Sequence, residues 1–239
     1  PDATLAVGKE LGANGGSDAM VMAGMEWAAS LVDALKTPVI VNMSLGGPGE
    51  PDSPLSKLVN KLQLQDVAVV AAAGNEGPQE GTVGSPGNAA LAFRVGAVDK
   101  AGKLTFYSSR DVPGAKPIFF WLRRGGAVDF DLPNPYEIIS TLATSLAEKL
   151  KDAASTVKWN EKPLYQAMSG TSMAAPHATG QLAQLAQRMA EVMLKDGATL
   201  PHGFWLWLGK LVSATAQKMP DLKPHEGGYV LITGEKEAV

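Results

Sequence analysis

The sequence of 239 residues has no cysteine and only three histidines, His177, His202 and His225, none of them close to another. Without thiols the chain can form neither a disulfide scaffold nor a zinc site with cysteine ligands, and scattered histidines argue against a site held by histidine alone. Acidic residues number 24 against 21 lysines and arginines, so no basic excess is available to bind nucleic acid. No apolar run approaches the roughly 18 to 20 residues that span a membrane. We therefore expect a globular chain that binds neither nucleic acid nor a membrane.

The first half of the chain alternates helical and extended patterns. Residues 17–35 and 53–64 have apolar side chains at helical spacing, which predicts two amphipathic helices. Strands are predicted over Val39–Met43, Val67–Ala72 and Phe93–Val98. The second of these is apolar throughout, as expected of a strand buried on both faces. Strands that alternate with helices predict an α/β fold, in which a mostly parallel sheet is flanked by helices.

The second half is less regular. Residues 113–126 and 144–165 show no clean period, apart from a predicted short helix over 146–154. A long helix is predicted after Ser172, and another over 205–216. The chain has no internal repeat, low-complexity tract or convincing linker, so we predict a single domain over residues 1–239.

The most specific motif is the run MSGTSMAAPH at residues 168–177, which leads directly into the predicted long helix. It places Ser172 at a helix start, where unpaired backbone N–H groups and the positive end of the helix dipole converge. Such a position favours a nucleophile whose reaction builds a negatively charged oxygen. A bare Gly-Thr-Ser would be interpreted as an ordinary helix cap, so the functional interpretation depends on the longer string.

The run GTSMAAPH resembles the nucleophile motif of the subtilisin-like serine proteases, the subtilases. Other segments resemble family motifs in the family's order: GMEWA at 24–28, VNMSLGG at 41–47, VVAAAGNEG at 69–77 and TVGSPG at 82–87. The resemblance covers roughly residues 1–216 and implies a three-layer α/β fold of the subtilisin type. We interpret the irregular stretches 113–126 and 144–165 as insertions into that fold.

The resemblance implies the catalytic roles residue by residue. Ser172 would be the nucleophile. Asn75 would donate its side-chain amide to the oxygen of the tetrahedral intermediate, and the backbone N–H of Ser172 would be the second donor. Met173, beside the nucleophile, implies sensitivity to oxidants.

The resemblance also implies how a polypeptide substrate would bind. An extended peptide would pair with a backbone edge formed by Ser44, Leu45 and Gly46. The specificity pocket would be lined by Ala72, Ala73, Gly74 and Gly84. Small residues leave room there for a large apolar or aromatic side chain, and Glu76 near the mouth suits a basic one.

A serine protease triad also needs a base and a residue that orients it. Subtilases take these from an Asp-x-Gly strand end and a His-Gly-Thr helix start, both upstream of every motif found here, and this chain has neither. His177 cannot replace the base, because five positions along a helix it points about 140° away from Ser172; the resemblance makes it a packing residue. We therefore expect the C-terminal portion of a catalytic domain that lacks the N-terminal strands. Its Asp and His would come from an N-terminal segment outside this chain.

Three functions remain open at this point. The chain belongs to an active endopeptidase completed by that segment, to a non-catalytic subtilase-like domain that binds peptides or partners, or to a sedolisin-type acid peptidase. Sedolisins are expected to carry an aspartate at the position of Asn75, which weakens the third. The presence of both Ser172 and Asn75 favours the first over the second, because a binding module needs neither.

Cofactor and location follow less directly from the sequence. Subtilases often bind calcium through loops, so calcium is a candidate cofactor, although no carboxylate cluster here has a convincing ligand spacing. No other cofactor is expected. The absence of cysteine fits a secreted, extracellular protein and fits a cytosolic one equally well; the family resemblance favours the first.

Overall fold

The structure is a computed structural model that describes residues 3–12, 14–35, 38–115, 117–127, 138–159, 162–193, 200–219, 222, 224–227 and 229–230. Its elements in chain order are α1 (Asp18–Leu35), β1 (Val39–Met43), α2 (Pro54–Leu64), β2 (Val67–Ala72), β3 (Phe93–Val98), β4 (Phe120–Arg124), β5 (Ile138–Thr141), α3 (Thr144–Leu150), β6 (Thr156–Trp159), β7 (Lys162–Met168), α4 (Thr171–Met193), α5 (Phe204–Thr215), β8 (Gln217–Lys218), α6 (Pro224–Gly227) and β9 (Tyr229–Val230). None of the helices described is both long and apolar enough to cross a lipid bilayer.

The larger of two sheets has the strand order β1-β2-β3-β4-β9-β8. Strands β1 to β4 are parallel neighbours, β9 is parallel to β4, and β8 is antiparallel to β9. The carboxyl ends of the parallel strands therefore meet at one edge, which is where α/β proteins bind ligands. β1 is the outermost strand, and within the described residues no strand pairs with its outer side.

Successive residues of β2 alternate between two cores. Ala68 and Val70 belong to the core beneath α4 and α5, whereas Val67 and Val69 belong to the core beneath α1 and α2. Side chains of a strand point alternately to opposite faces, so a strand between two helical layers must be apolar at every position. All six residues of β2 are buried. The predicted three-layer α/β architecture is confirmed.

The sequence analysis found no period in residues 113–126, yet the structure has β4 there. Phe120, Trp121 and Leu122 are buried, and a strand buried on both faces has no alternation to detect. The stretch 144–165 contains α3, β6 and the start of β7, and β7 pairs with β5 and β6 in a separate antiparallel sheet. That both stretches are insertions, and that the chain is one domain, stay predictions.

Asp66, in the turn between α2 and β2, fixes the start of α5. One carboxylate oxygen accepts a hydrogen bond from the Gly203 N–H at 2.8 Å, and the other lies 2.5 Å from His202 Nδ1. The Asp66 carbonyl oxygen also accepts a hydrogen bond from Trp205 Nε1 at 2.9 Å. A carboxylate at a helix N-terminus satisfies free N–H groups and complements the helix dipole. These contacts hold α5 at the amino end of β2.

Arg94 on β3 is a buried cation, with 4% of its surface exposed. Its guanidinium group pairs with the Asp111 carboxylate and donates to the Gly87 carbonyl oxygen at 2.6 Å, and it lies 5.2 Å from the Phe120 ring centre. Burial lowers the pKa of Arg94 below its ordinary value, and the Asp111 carboxylate acts in the opposite direction. Arg94 therefore joins β3 to two loops, one around Gly87 and one around Asp111.

We predict that Asp111→Ala lowers the free energy of unfolding by about 3–5 kcal/mol, because it leaves the Arg94 charge buried without a partner. Urea unfolding of the purified protein measures the change. Glu148→Ala is the control: it removes an ion pair with Lys151 whose side chains are 82% and 48% exposed, and it should leave stability unchanged. Equal losses from the two substitutions would contradict the assigned role of the buried pair.

Candidate active site

A cleft of about 470 Å³ opens at the carboxyl end of the sheet, bounded by residues 45–50, 72–76, 81–84 and 171–172. The loop after β1 forms the outer wall of the cleft, and the loop between β2 and β3 forms the inner wall. The end of β2 forms the floor of the cleft, and α4 begins at the base of the cleft. The residues that the sequence analysis selected and that line this cleft are Leu45, Gly46, Ala72, Ala73, Gly74, Asn75, Gly84 and Ser172. Four separate segments thus meet in one place.

Asn75 follows the end of β2 and is held by the start of α4. Its Oδ1 accepts hydrogen bonds from the Thr171 backbone N–H at 2.9 Å and from Thr171 Oγ1 at 3.1 Å. A backbone N–H can only donate, so the atom that faces it must be the amide oxygen, which fixes the orientation of the side chain. No partner binds Nδ2 among the described residues. Because Asn75 lines the cleft, its amide is available there as a hydrogen-bond donor.

Thr171 contributes more to the site than the sequence analysis recognised. Its side chain is fully buried, and besides donating to Asn75 its Oγ1 accepts a hydrogen bond from the Gly74 N–H at 3.1 Å. The hydroxyl thus joins α4 to the last residues of the cleft floor. Its place inside the Gly-Thr-Ser motif was the available clue, but nothing local predicts which distant atoms a buried hydroxyl will bind.

Ser172 is the second residue of α4 and is partly exposed at the base of the cleft. The residues before it are fixed by the end of β4: Gly170 N–H donates to the Gly125 carbonyl oxygen at 2.9 Å, and Ser169 Oγ donates to the Ala127 carbonyl oxygen at 2.6 Å. The first N–H groups of a helix lack partners inside the helix, and the dipole is positive there. The Ser172 hydroxyl and N–H are therefore in a field that stabilises negative charge on oxygen.

Ser44, which lies beside the cleft, joins the outer wall to the same helix. Its Oγ donates to the Ser172 carbonyl oxygen at 2.7 Å and accepts from Asn42 Nδ2 at 2.9 Å. Asn42 Oδ1 accepts in turn from Thr179 Oγ1, two turns further along α4, at 2.9 Å. Two points of attachment fix the end of β1 against α4, so the exposed backbone from Ser44 to Gly46 has a defined position relative to Ser172.

Carboxylates are the charged groups of the cleft lining: Glu50 on the outer wall and Glu76 beside Asn75. Glu76 is exposed, and its Oε2 accepts a hydrogen bond from Ser109 Oγ at 3.0 Å. This contact holds the carboxylate over Gly74, where a β-carbon would collide with it. The described lining thus carries negative charge next to small residues.

Neither histidine whose side chain is described can act on Ser172. His177 Nδ1 lies 2.7 Å from the carbonyl oxygen of Met173 in its own helix, and His202 is bound to Asp66 at the amino end of β2. Six residues of strand, about 20 Å, separate that end from the cleft. His177 is exposed rather than packed, because no described residue covers that side of α4. The described part of the chain therefore supplies no base for Ser172.

The described residues include no group of three or more His, Asp or Glu side chains placed to hold a metal ion. Calcium thus stays a candidate cofactor without a ligand set in that part of the chain.

Comparison with known proteins gives the family. A sequence profile described as the subtilase family matches residues 1–200. The chain belongs to the subtilase family. A subtilisin from a Bacillus species is 32% identical over 189 residues, which are 77% of this chain and 40% of the relative. Subtilisin Savinase from Lederbergia lenta is 30% identical over 189 residues, 79% of this chain and 55% of the relative.

A more distant relative and a solved structure also match the chain. The mouse membrane-bound transcription factor site-1 protease is 26% identical over 195 residues, which are 82% of this subtilase chain and 16% of the relative. The structure of Sphericase is 27% identical with a TM-score of 0.59, over 86% of this chain and 58% of that one. The chain thus spans between about one sixth and three fifths of these relatives.

Proposed function

We propose that the protein is a serine endopeptidase that hydrolyses peptide bonds through an acyl-enzyme on Ser172. The observation that carries this proposal is the anchoring of Asn75. Because Thr171 occupies the amide oxygen, the amide N–H bonds stay available in the cleft that Ser172 also lines. A pure binding cleft has no need of a donor held in this way beside a serine at a helix start.

In the proposed reaction Ser172 Oγ attacks the carbonyl carbon of the scissile bond and transfers its proton to a histidine. The carbonyl oxygen becomes negatively charged and accepts hydrogen bonds from Asn75 Nδ2 and the Ser172 N–H, which are already oriented before the charge develops. The tetrahedral intermediate collapses, the histidine protonates the leaving amine, and the acyl group stays on Ser172. Water then attacks the ester while the histidine takes its proton. The histidine returns a proton to Ser172 Oγ, and the acid product leaves.

The proposed substrate is a polypeptide in extended form. Its backbone would pair with the edge from Ser44 to Gly46, which gives affinity independent of sequence. The side chain before the scissile bond would enter the space beside Ala72, Ala73 and Gly74, where small residues leave room. The Glu76 carboxylate over Gly74 would favour a basic group at the mouth of that space.

We propose that the Asp and His of the triad lie on an N-terminal segment of the same protease domain, outside this chain. Two observations support it. β1 has an unpaired outer edge within the described residues, and Leu5 and Val7 are each 85% exposed. An apolar edge without a partner favours association with another strand. Added strands and their flanking helices would cover both.

A secreted, extracellular location is part of the same proposal, since a broadly acting peptidase with an open cleft is harmful inside its own cell. Immunodetection in washed cells but not in the culture medium would contradict it.

We predict that the chain alone reacts slowly with a fluorophosphonate probe, because Ser172 without a base keeps the weak nucleophilicity of an ordinary alcohol. Addition or co-expression of the upstream segment with its Asp and His should raise the labelling rate by at least about 10²-fold. The label should disappear in Ser172→Ala. Rapid labelling of the chain alone would contradict the need for the segment, and no labelling of the complete protein would favour a non-catalytic peptide-binding domain.

We predict that Asn75→Asp in the complete enzyme lowers kcat about 10²–10³-fold, a range measured on the asparagine of subtilisin itself, with little change in KM. Aspartate keeps the oxygen that Thr171 binds but lacks the N–H donors, so the fold should be preserved. Asn60→Ala is the control, because its Oδ1 accepts from the Leu91 N–H outside the cleft. A loss confined to KM, or an equal kcat loss in the control, would refute the role of Asn75.

We predict that Glu76→Gln lowers kcat/KM for substrates with lysine or arginine before the scissile bond by about twofold to fivefold, the range of an exposed charge pair. Substrates with leucine or phenylalanine there should be unaffected, and the difference should shrink in high salt. Glu191→Gln, an exposed change far along α4, is the matched control. An equal effect on basic and apolar substrates would rule out a charge-based preference.

A further inference from the structure

The two walls of the cleft come from loops that are far apart in sequence, and a direct backbone contact joins them. Gly47 N–H donates to the Ser85 carbonyl oxygen at 3.0 Å, and Ser85 N–H donates to the Gly47 carbonyl oxygen at 2.9 Å. This pair fixes one point of contact. The outer wall beyond it contains Gly49, and glycine leaves a backbone more conformational freedom than any other residue. The outer wall past Gly47 therefore needs a further contact to fix its position.

A buried polar network lies beneath this contact. Ser56 is fully buried, Ser85 is 5% exposed and Asn88 is 8% exposed. Ser56 Oγ lies 2.8 Å from Ser85 Oγ and 2.8 Å from Asn88 Oδ1. Ser53, which caps α2, adds a hydroxyl 3.1 Å from each of the two serine oxygens. Asn88 Nδ2 donates to the Gly49 carbonyl oxygen at 2.6 Å.

The donor and acceptor of each hydrogen bond in the network can be assigned. Asn88 Oδ1 can only accept, so the single proton of Ser56 Oγ goes to Asn88. Ser56 Oγ is then left to accept, and it receives the proton of Ser85 Oγ. Asn88 in turn donates a hydrogen bond from Nδ2 to the Gly49 carbonyl oxygen. Each buried polar atom is satisfied, and the chain of bonds leads from the inner wall at Ser85 to the outer wall at Gly49.

We propose that Asn88, oriented by Ser56, is a positioning residue that holds the outer wall of the cleft in the form that accepts the side chain before the scissile bond. The inference rests on the proposed peptidase function. The wall begins beside the nucleophile, where Ser44 binds the Ser172 carbonyl, and Gly49 lies five residues further along it. Gly49 lines the same space as residues 72–74 and Gly84, so Asn88 acts on the wall of the proposed specificity pocket. A loop ordered in advance avoids the entropy cost of ordering it on binding.

The test compares two chromogenic substrates of equal length in the complete enzyme, one with phenylalanine and one with alanine before the scissile bond. Asn88→Ala should lower kcat/KM for the phenylalanine substrate about tenfold, mainly through KM, because it leaves the Gly49 carbonyl and the Ser56 hydroxyl without their partner. The alanine side chain is too short to reach the wall, so that substrate should be cleaved as before. Equal losses on the two substrates would overturn the proposal, since they would indicate general damage to the fold.

Gln63→Ala is the matched control. Gln63 is also fully buried on α2, but it binds the Leu91 carbonyl at 2.6 Å and the Val69 N–H at 3.3 Å, away from both walls. It should lower the melting temperature without changing the ratio of kcat/KM for the phenylalanine substrate to that for the alanine substrate. A changed ratio in this control would overturn the assignment to Asn88.

A double-mutant cycle tests the direction of the network. Ser56→Ala should lower the ratio of kcat/KM for the phenylalanine substrate to that for the alanine substrate, but it should have no further effect in the Asn88→Ala background, because Ser56 acts on the wall through Asn88. Additive losses would contradict the proposed order.

Amide hydrogen exchange separates this proposal from the proposed function. In Asn88→Ala, fragments that contain the Gly47 N–H should exchange faster, whether or not the protein cleaves any substrate. A complete enzyme that cleaves nothing would refute the peptidase function alone. Unchanged exchange across residues 45–50 would refute the positioning role.

Discussion

The hydrogen bonds between Asn75 and Thr171 are the contact on which the cleft depends. They join the end of β2 to the start of α4 across 96 residues of sequence. One side chain thereby satisfies a free N–H of the helix, orients the amide donors and brings Ser172 to the carboxyl edge of the sheet. Thr171 Oγ1, which also accepts from the Gly74 N–H, adds a second bond between the floor and the helix start. The amide oxygen of Asn75 thus links the end of the sheet to the position of the residues that are proposed to react.

The sequence predicts best those features that are encoded locally. β1, β2 and β3 have the bounds expected from their apolar runs, and α4 begins beside Ser172. Apolar side chains mark the positions that become buried, so a short stretch of sequence is enough to predict a buried strand or an amphipathic helix. Ser172 and Asn75 could be predicted as site residues for a related reason, because each lies inside a contiguous motif. The cleft that joins them follows from the rule that parallel strands share one carboxyl edge.

Features that depend on distant partners were not predictable in this way. β4 has no alternation because both of its faces are covered, and only its neighbours in the sheet identify it. Asn88 and Gly49 are 39 residues apart, and Arg94 and Asp111 belong to different elements. A buried polar side chain is stable only beside its partner, and no local pattern names that partner. His177 was expected to be packed and is exposed, because no described residue covers that side of α4.

The attachment of α5 to Asp66 has a consequence for how the protein is made. Gly203 follows Asp66 by 137 residues, so at about 5–20 residues per second the ribosome needs roughly 7 to 27 s to deliver it. Until then β2 and β3 lack α5, one of the two helices that cover one side of their core, which includes the Phe93 ring. The nascent chain therefore carries an incompletely covered aromatic surface while the residues from Phe93 to Gly203 are added, and the docking of α5 ends this exposure to aggregation.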